Sequence, residues 1–315
     1  MKSIFFFLFM AFFSAAHGQS YFQEVANLVA SQSLVSDKID WKEFTDSTKF
    51  IRSLHNKDSI DSFNKMTTRY LRRAGDIHSF FMTPNEVNER KQRPQIKDTT
   101  GKLLVHSKLI DKIGYIKVPG FMIFDQNEIK AFADTIQQCI QKLDETNNIK
   151  GWVVDLRGND GGNMWPMLAG LNSLIDDGTV GYFVNPSNKK MKMSWISTKG
   201  AAGFVKVSYP YKVKKTKANI AILIDSATAS SGEMTAISFI GRENTRTFGT
   251  PSAGYTTANQ TYNLSNGGIL NLATLAVMDR NEKIYTGKVY PDEIILENEP
   301  GKDAVLDAAL VWLEK

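Results

Sequence analysis

A serine-rich segment could do chemistry at the corner between a predicted strand and a predicted helix. Residues 228–235 read TASSGEMT, after an apolar run at 220–224 that predicts a buried strand and into a helix predicted at 234–239. A hydroxyl there lies at a helix N-terminus, where free amides and the helix dipole favour negative charge. Ser230 could therefore be a nucleophile, or only the helix cap of a Ser-x-x-Glu box with Glu233.

A glycine-rich loop at a second strand end could stabilise a developing negative charge. Residues 155–162 read DLRGNDGG and follow the apolar strand predicted at 151–154, at the end where open α/β sheets place their sites. Gly161 and Gly162 let backbone N–H groups approach a ligand closely, as an oxyanion hole requires. The loop lacks the GxGxxG spacing of a dinucleotide site, and a tight turn without function is the alternative.

A serine nucleophile needs a base, and histidine is the usual one near neutral pH. After residue 18 the chain contains three histidines, which are His55, His78 and His106. His78 lies in the segment GDIHSF at 75–80. Each of the three could equally be structural when it is considered alone.

Three motifs together resemble the S41 peptidases, the family of the C-terminal processing proteases and tricorn-like enzymes. They are DxHS at 76–79, DLRGNxGG at 155–162 and TASSGE at 228–233, and GKVYPD at 287–292 weakly echoes a late family element. Within the family the chain is most similar to the nisin-resistance proteins, whose core also has TASS-x-EM after DLRGN-x-GGNM. The resemblance implies a ClpP/crotonase-like α/β core with a mixed sheet, preceded by a small helical cap.

The resemblance also implies roles for individual residues. Ser230 would be the nucleophile, with Ser231 as its rival, and His78 the general base. Backbone amides of Gly161 or Gly162 and of Ser231 would form the oxyanion hole. The residues expected to line the substrate cleft are Asn163, Met164 and Tyr255. No cofactor and no metal is implied.

Two departures from the family pattern concern the base. The processing proteases use a Ser-Lys dyad, but Tyr255 occupies the lysine position in the segment GTPSAGY at 249–255. The tricorn-like branch has a glutamate where this chain has tyrosine and threonine at 285–286. A lysine base at that position is therefore excluded, and the group that orients His78 stays open. The candidate orienting acids are Asp76 and Glu233.

The elements that must position these residues follow from hydrophobic periodicity. Alternating strand and helix patterns from residue 104 onward predict a mostly parallel sheet covered by helices. Strands are predicted at 114–118, 151–154 and 220–224, helices at 125–143, 166–174, 234–239 and 303–313, and a hairpin around the turn at 266–268. Apolar residues at helical spacing over 20–75 predict a helical bundle. The charged residues at 84–103 predict a linker, and this linker is too short to contain a PDZ domain. The predicted division is a signal peptide at 1–18, a helical bundle with linker at 19–100 and a peptidase core at 101–315.

Composition limits the class of function. The first 18 residues predict a cleaved signal peptide, with Lys2, an apolar run at 4–13 and Ala-His-Gly at 16–18. The apolar run is too short to be a stable membrane anchor. A periplasmic or secreted protein is therefore expected. The single Cys139 excludes internal disulfides. The chain has a formal charge of +5 and contains clusters of lysines. No aromatic residues are interleaved with these lysines as in nucleic-acid-binding modules, so nucleic acid is not expected as a partner.

The sequence thus predicts an exported serine peptidase that acts on a peptide or protein substrate. The alternative is a catalytically inactive peptide- or lipid-binding module on the same fold, because retinoid-binding proteins share the domain. Self-protection against antimicrobial peptides rests on the nisin-resistance likeness alone, and the mildly basic charge of the chain does not favour cationic peptides.

Overall fold

The computed structural model describes residues 20–54, 58–92, 105–123, 125–185, 192–296 and 301–315. The signal peptide predicted at 1–18 lies outside these residues, as does His55. Within the described ranges, no helix combines the length and the apolar character that crossing a membrane requires.

Three helices form the N-terminal region, as the apolar stripes predict. They are α1 (Tyr21–Gln32), α2 (Trp41–Ser53) and α3 (Ser59–Arg73). Their inward faces bury Phe44 and Phe63 in one apolar cluster, which also contains Leu270 and Leu272 from a strand near the end of the chain. The helices therefore pack on a sheet of the core and share its apolar interior.

A short strand and a fourth helix follow where the sequence predicts a linker. Strand β1 spans Phe80–Met82, and α4 spans Pro84–Gln92. The helix begins at a side-chain cap, because the carboxylate of Glu86 accepts from the N–H of Thr83 at 2.7 Å and from its hydroxyl at 2.8 Å. The linker prediction is therefore wrong for 84–92. The prediction relied on the lack of an apolar stripe, but the capped, charged segment forms a helix without one. Residues 93–104 lie outside the described ranges.

The elements that follow are given in chain order. They are β2 (His106–Ile110), β3 (Ile113–Lys117), α5 (Gln126–Thr146), β4 (Gly151–Asp155), α6 (Met164–Gly170), β5 (Gly178–Val184), β6 (Lys192–Thr198), β7 (Ala201–Ala202), β8 (Val205–Lys206), β9 (Asn219–Ile224), α7 (Ser231–Phe239), β10 (Thr245–Gly249), β11 (Thr257–Asn263), β12 (Ile269–Asp279), β13 (Ile284–Tyr285), β14 (Glu293–Ile294) and α8 (Ala304–Leu313).

One sheet has the strand order β14-β10-β9-β4-β3-β2. All its neighbouring pairs are parallel except β2 with β3. Strand β4 is buried throughout and β9 nearly so, because helices cover both faces of the sheet. Parallel strands end at a common edge, which brings together the loops after β3, β4, β9 and β10. Both sequence motifs at strand ends lie in these loops.

A second, antiparallel sheet has the order β1-β12-β5-β6-β7-β8, and β11 and β13 also pair with β12. The predicted hairpin is confirmed as β11 and β12, in register from Asn263 opposite Ile269. Strands β5 to β8 have no counterpart in the sequence prediction. Two of them are two residues long, and a bulge between Thr179 and Gly181 interrupts the alternation in β5, so that period-2 patterning is weak there.

Candidate active site

Ser230 occupies a strained corner between β9 and α7. Its φ is 50° and its ψ −116°, a conformation that residues with a side chain rarely adopt. The carboxylate of Glu233 accepts from the Ser230 N–H at 2.7 Å, and the Ser230 carbonyl accepts from the Met234 N–H at 2.9 Å. Two hydrogen bonds made by its own backbone thus hold this half-buried serine in its unusual conformation.

The neighbouring Ser231 is placed differently. It is the first residue of α7 and is 7% exposed. Its hydroxyl donates to the carbonyl oxygen of Gly162 at 2.6 Å. The Ser231 hydroxyl therefore already links α7 to the glycine-rich loop, whereas Ser230 lies at the strained turn itself.

The glycine-rich loop after β4 packs directly against the serine corner. The Asn159 carbonyl accepts from the Ala229 N–H at 2.9 Å, and the Gly161 carbonyl accepts from the Phe121 N–H at 2.8 Å. Gly161 has a φ of 104°, and a Cβ atom on it would lie 2.9 Å from the Cβ of Ser230. Glycine is therefore needed at 161 for both its conformation and its close approach to the serine.

The backbone amides around the corner differ in what they bind. The Gly161 N–H donates to the side-chain oxygen of Asn159 at 3.0 Å. The N–H groups of Gly162 and Ser231 have no hydrogen-bond acceptor among the described residues. Ser231 begins α7, whose first amides lack partners within the helix. Of the three amides predicted for an oxyanion hole, those of Gly162 and Ser231 are thus available.

The backbone around His78 is fixed by Asp76. One Asp76 carboxylate oxygen accepts from the N–H groups of His78 and Ser79, at 2.9 and 3.0 Å, and the other accepts from the Ser79 hydroxyl at 2.5 Å. The Ser79 hydroxyl in turn accepts from the Ala273 N–H of β12 at 2.8 Å. The buried carboxylate therefore shapes the turn between α3 and β1 and ties it to the second sheet.

The imidazole of His78 contacts residues at the start of β11. Its Nδ1 lies 2.9 Å from the hydroxyl oxygen of Thr257, and its ring centroid lies 5.2 Å from that of Tyr255. The side-chain amide of Asn259 donates to the His78 carbonyl at 3.0 Å. Because Nδ1 is engaged by Thr257, Nε2 is the ring nitrogen left for a reacting group.

The surroundings of His78 favour the neutral imidazole. Burial lowers the pKa of His78, while the charge of Asp76 and a hydrogen bond with the Thr257 backbone act in the opposite direction. Burial penalises the charged form of the ring, so the imidazole is neutral at neutral pH. A neutral imidazole can accept a proton, as a general base must.

Glu233 joins the serine corner to the segment beside His78. Its carboxylate is fully buried and accepts from the Ser230 N–H, from the Ser252 hydroxyl at 2.5 Å and from the Gly254 N–H at 2.8 Å. Burial raises the pKa of Glu233, and these hydrogen bonds, with one from the Tyr255 backbone, oppose the rise. Because Tyr255 packs beside His78, Glu233 connects the two predicted catalytic residues through this short segment.

Neither predicted orienting acid bonds to the imidazole among the described contacts. The hydrogen bonds of Asp76 go to the backbone of His78 and to Ser79, and those of Glu233 go to the serine corner and to 252–255. Asp76 acts on the ring through its charge. The side chain in contact with Nδ1 is Thr257 instead.

Thr257 carries no signal in the sequence. It lies 179 positions from His78, and threonine is ordinary in a strand. Only the pairing of β11 and β12, together with the pairing of β1 and β12, brings the two residues together.

The other predicted site residues are placed as follows. Asn163 caps α6, since its side-chain oxygen accepts from the Trp165 N–H at 3.1 Å. Met164 is 6% exposed within the main apolar core, so burial leaves little of its side chain available to line a cleft as predicted. His106 is exposed on the edge strand β2.

The acidic and basic residues of the DLRGN motif have a structural role. The Asp155 carboxylate accepts from the Tyr115 hydroxyl at 2.6 Å and pairs with Arg157 at 2.7 Å. Arg157 also pairs at 2.7 Å with Asp303, the N-cap residue of α8. These ion pairs fix the start of the glycine-rich loop relative to the last helix.

Comparison with known proteins gives consistent results. The model of peptidase family S41 matches residues 112–295. The nisin-resistance protein of Lactococcus lactis subsp. lactis is 30% identical over 294 residues, which cover 92% of this chain and 86% of that protein.

Solved structures agree over almost the whole chain. A lipoprotein from Streptococcus agalactiae superposes with a TM-score of 0.72 at 26% identity, over 93% of this chain and 95% of that one. A putative peptidase from Parabacteroides merdae superposes with a TM-score of 0.59 at 14% identity, over 94% and 97% of the two chains, and at that identity it shows the fold alone. The predicted fold class, a ClpP/crotonase-like α/β core with mixed sheet and a preceding helical region, is confirmed.

Proposed function

Because the chain belongs to peptidase family S41, we propose that it is a serine peptidase with Ser230 as nucleophile and His78 as general base. The observation that carries the proposal is the strained turn at Ser230, where φ is 50° and the glycine-rich loop lies in direct contact. Serine hydrolases of another fold also hold their nucleophile on a strained strand-to-helix turn.

In the proposed reaction the Ser230 hydroxyl attacks the carbonyl carbon of a peptide bond. Nε2 of His78 takes the hydroxyl proton and then passes it to the leaving amine. The N–H groups of Gly162 and Ser231 stabilise the negative charge that develops on the carbonyl oxygen, because these amides have no acceptor among the described residues. A water molecule, activated by the same histidine, then hydrolyses the acyl-enzyme.

Two further residues position this pair in the proposal. Thr257 holds Nδ1 of the imidazole at 2.9 Å, so that Nε2 faces the reaction. Glu233 holds the Ser230 N–H and the Gly254 N–H on one carboxylate, at 2.7 and 2.8 Å. A preorganised arrangement of this kind lowers the cost of reorganisation during the reaction.

We also propose that the protein works outside the cytoplasm, in the cell envelope or as a secreted enzyme. The signal-peptide pattern at 1–18 supports this location. A structural relative described as a lipoprotein supports it independently.

The test is labelling of the purified protein by a fluorophosphonate probe, followed by incubation with a diverse peptide library and mass spectrometry. We expect the wild type and Ser231→Ala to be labelled and to cleave peptides, and Ser230→Ala to do neither. Ser231→Ala is the matched control, because it removes the adjacent hydroxyl and leaves the Ser231 amide in place.

Two results would overturn the assignment. Labelling of Ser230→Ala with none of Ser231→Ala would make Ser231 the nucleophile. A folded wild type that is neither labelled nor active on the library would indicate a non-catalytic binding module on this fold.

A further inference from the structure

A groove of about 740 Å³ lies between α3 and β1, beside the proposed base. It begins at Ser79, the residue after His78, and continues along Phe80 and Phe81. Its opposite wall is one face of α3, whose residues recur at the helical period of about 3.6. The residues of that wall include Lys65, Arg69, Arg72 and Arg73.

The groove carries more available positive than negative charge. Of its two acidic residues, Asp61 pairs with Lys65 at 2.8 Å, and Glu86 keeps its negative charge while accepting from the neutral groups of Thr83. The side chains of Arg69 and Arg72 are exposed, and their guanidinium groups make no ion pair or hydrogen bond with any described residue. Two guanidinium groups on one wall are thus available to a ligand with carboxylates.

The other wall offers a strand edge. Strand β1 pairs with β12 and ends the order of its sheet, so its second edge has no strand partner in the described part of the chain. An unpaired edge can add a peptide as a further strand through backbone hydrogen bonds. Phe80 is 39% exposed at this edge and offers an apolar contact.

We propose that this groove binds an acidic, extended segment of the substrate, which adds to β1 and places its carboxylates against Arg69 and Arg72. The inference rests on the proposed peptidase function, since it places the segment next to the bond that Ser230 attacks. Strand β1 covers the second to fourth residues after His78, so a peptide paired along β1 lies level with those three positions. The recognised acids therefore lie two to four residues from the scissile bond.

The charge of the groove also bears on which peptides are excluded. A lysine-rich segment at the same positions faces the two positive charges of Arg69 and Arg72, which outnumber the one negative charge of Glu86 among the described groove residues. Like charges in close contact disfavour a partner, which is a common source of specificity. Acidic peptides are therefore preferred over neutral ones, and neutral over cationic ones.

The experiment compares three versions of one fluorogenic peptide that the enzyme cleaves, with Glu, Gln or Lys at positions two to four from the scissile bond. The enzymes are the wild type, Arg69→Gln/Arg72→Gln and the control Lys212→Gln/Lys217→Gln, which removes the same charge at exposed lysines in the segment before β9. We expect the wild type to favour Glu over Gln about tenfold in kcat/KM, chiefly through KM, since exposed ion pairs each contribute modestly.

The preference for Glu over Gln should fall to about twofold or less in Arg69→Gln/Arg72→Gln and persist in the lysine control. It should also weaken with added salt, because salt screens exposed ion pairs. Fluorophosphonate labelling should be equal in all three enzymes, which separates groove binding from the chemistry at Ser230. If no enzyme is labelled and none cleaves a peptide, peptide binding is measured instead. The fluorescence anisotropy of the labelled Glu peptide is compared between Ser230→Ala and Ser230→Ala/Arg69→Gln/Arg72→Gln, which tests the groove alone. Weaker binding by the latter supports the proposal.

Equal kcat/KM for the Glu and Gln peptides in the wild type overturns the proposal, as does an equal loss of preference in the lysine control. A third contrary result is binding to phosphatidylglycerol vesicles that depends on Arg69 and Arg72 while peptide preference is unchanged. That result would assign the cationic wall to a membrane surface.

Discussion

Ser230 and His78 are held by two regions of the molecule that are built differently. The serine corner joins a buried strand of the parallel sheet to α7 and is fixed by loops from neighbouring strands of the same sheet. The His78 segment joins the N-terminal helices to β1, and side chains of β11, 179 and 181 positions further on, hold it in place. The family match at 112–295 includes Ser230 but not His78.

In the proposed mechanism, the N-terminal region therefore supplies the base and is more than a cover over the core. Phe44 and Phe63 of the helices share an apolar cluster with Leu270 and Leu272 of β12, and β1 pairs with the same strand. Docking of the helices therefore positions His78. In physical terms, the serine depends on local turn geometry, whereas the histidine depends on long-range packing.

Loss of the histidine should have the largest effect in this comparison. We expect His78→Ala to lower kcat by about a thousandfold or more, because general-base catalysis contributes about 10²–10⁴. The double variant His78→Ala/Ser230→Ala should be little worse than either single variant, since nucleophile and base act as one unit. Steady-state kinetics on one peptide measures both, with His106→Ala as the control on the exposed strand β2.

The pH profile of the wild type gives an independent measure of the same residue. Only the neutral imidazole accepts a proton, so kcat/KM should rise with pH through the titration of His78. Burial lowers the pKa of this group, so the limb should lie below about 6.5, the value for an unperturbed histidine. A limb near about 10, the range of lysine, together with an active His78→Ala, would indicate a lysine base.

Glu233→Gln tests the connection between the two regions. The amide group cannot accept all the hydrogen bonds that Ser230, Ser252 and Gly254 donate to the carboxylate. We expect a loss of about 1–3 kcal/mol in the free energy of unfolding and a loss in kcat of up to about a hundredfold from misplacement of the serine. Denaturant unfolding and kinetics measure the two effects, with the exposed Glu314→Gln as control.

The pH dependence of stability sharpens this prediction. The pKa of Glu233 is raised in the folded state, chiefly by burial. A carboxyl with a raised folded pKa gives its full stabilisation below its unfolded pKa, and that stabilisation is lost as pH rises through the folded value. Glu233→Gln should therefore remove this loss of stability with rising pH. An unchanged slope would mean that Glu233 does not titrate in this way.

The sequence predicts the serine corner well because its features are contiguous. Residues 228–233 contain the turn, the cap and the glutamate within one motif, and the strand at 220–224 is confirmed as β9. The parallel strands were predictable from apolar runs, since a strand covered on both faces has little polarity. Short strands such as β7 and the capped helix α4 were not, because neither has a hydrophobic period. Thr257 could not be found because its contact with His78 depends on the pairing of β11 with β12.

Thr257→Val should have a smaller effect than the change at Glu233. Valine has nearly the same shape but removes the hydroxyl that lies 2.9 Å from Nδ1 of His78. One net hydrogen bond contributes about 0.5–1.5 kcal/mol, so kcat should fall roughly three- to tenfold. Thr257→Ser keeps the hydroxyl and should retain most of the activity.

A structural defect would not reproduce this pattern. If Thr257→Val and Thr257→Ser lose activity equally, or if the acidic limb of the pH profile does not move in Thr257→Val, the hydroxyl does not position the imidazole. The comparison would then favour the charge of Asp76 or the backbone of Thr257, both of which also act on His78.

Tyr255 should give the smallest effect, although it lies between the two regions. Its ring centroid is 5.2 Å from that of His78, and its backbone hydrogen-bonds to Glu233. Tyr255→Phe keeps both the ring and the backbone and removes only the hydroxyl, so kcat should change by less than about threefold.

The same position tests whether the family's alternative base can be introduced by one substitution. Tyr255→Lys/His78→Ala should remain as inactive as His78→Ala, because a lysine acts as base near neutral pH only when it is desolvated and within hydrogen-bond reach of the serine. Tyr255 is only partly buried, beside His78, so the substitution supplies the amine without an enclosing pocket. A loss of hydrolysis in Tyr255→Phe as large as that in Ser230→Ala would make the tyrosine a catalytic residue. Recovery of activity in Tyr255→Lys/His78→Ala would show that the serine corner can accept a base from the segment between β10 and β11.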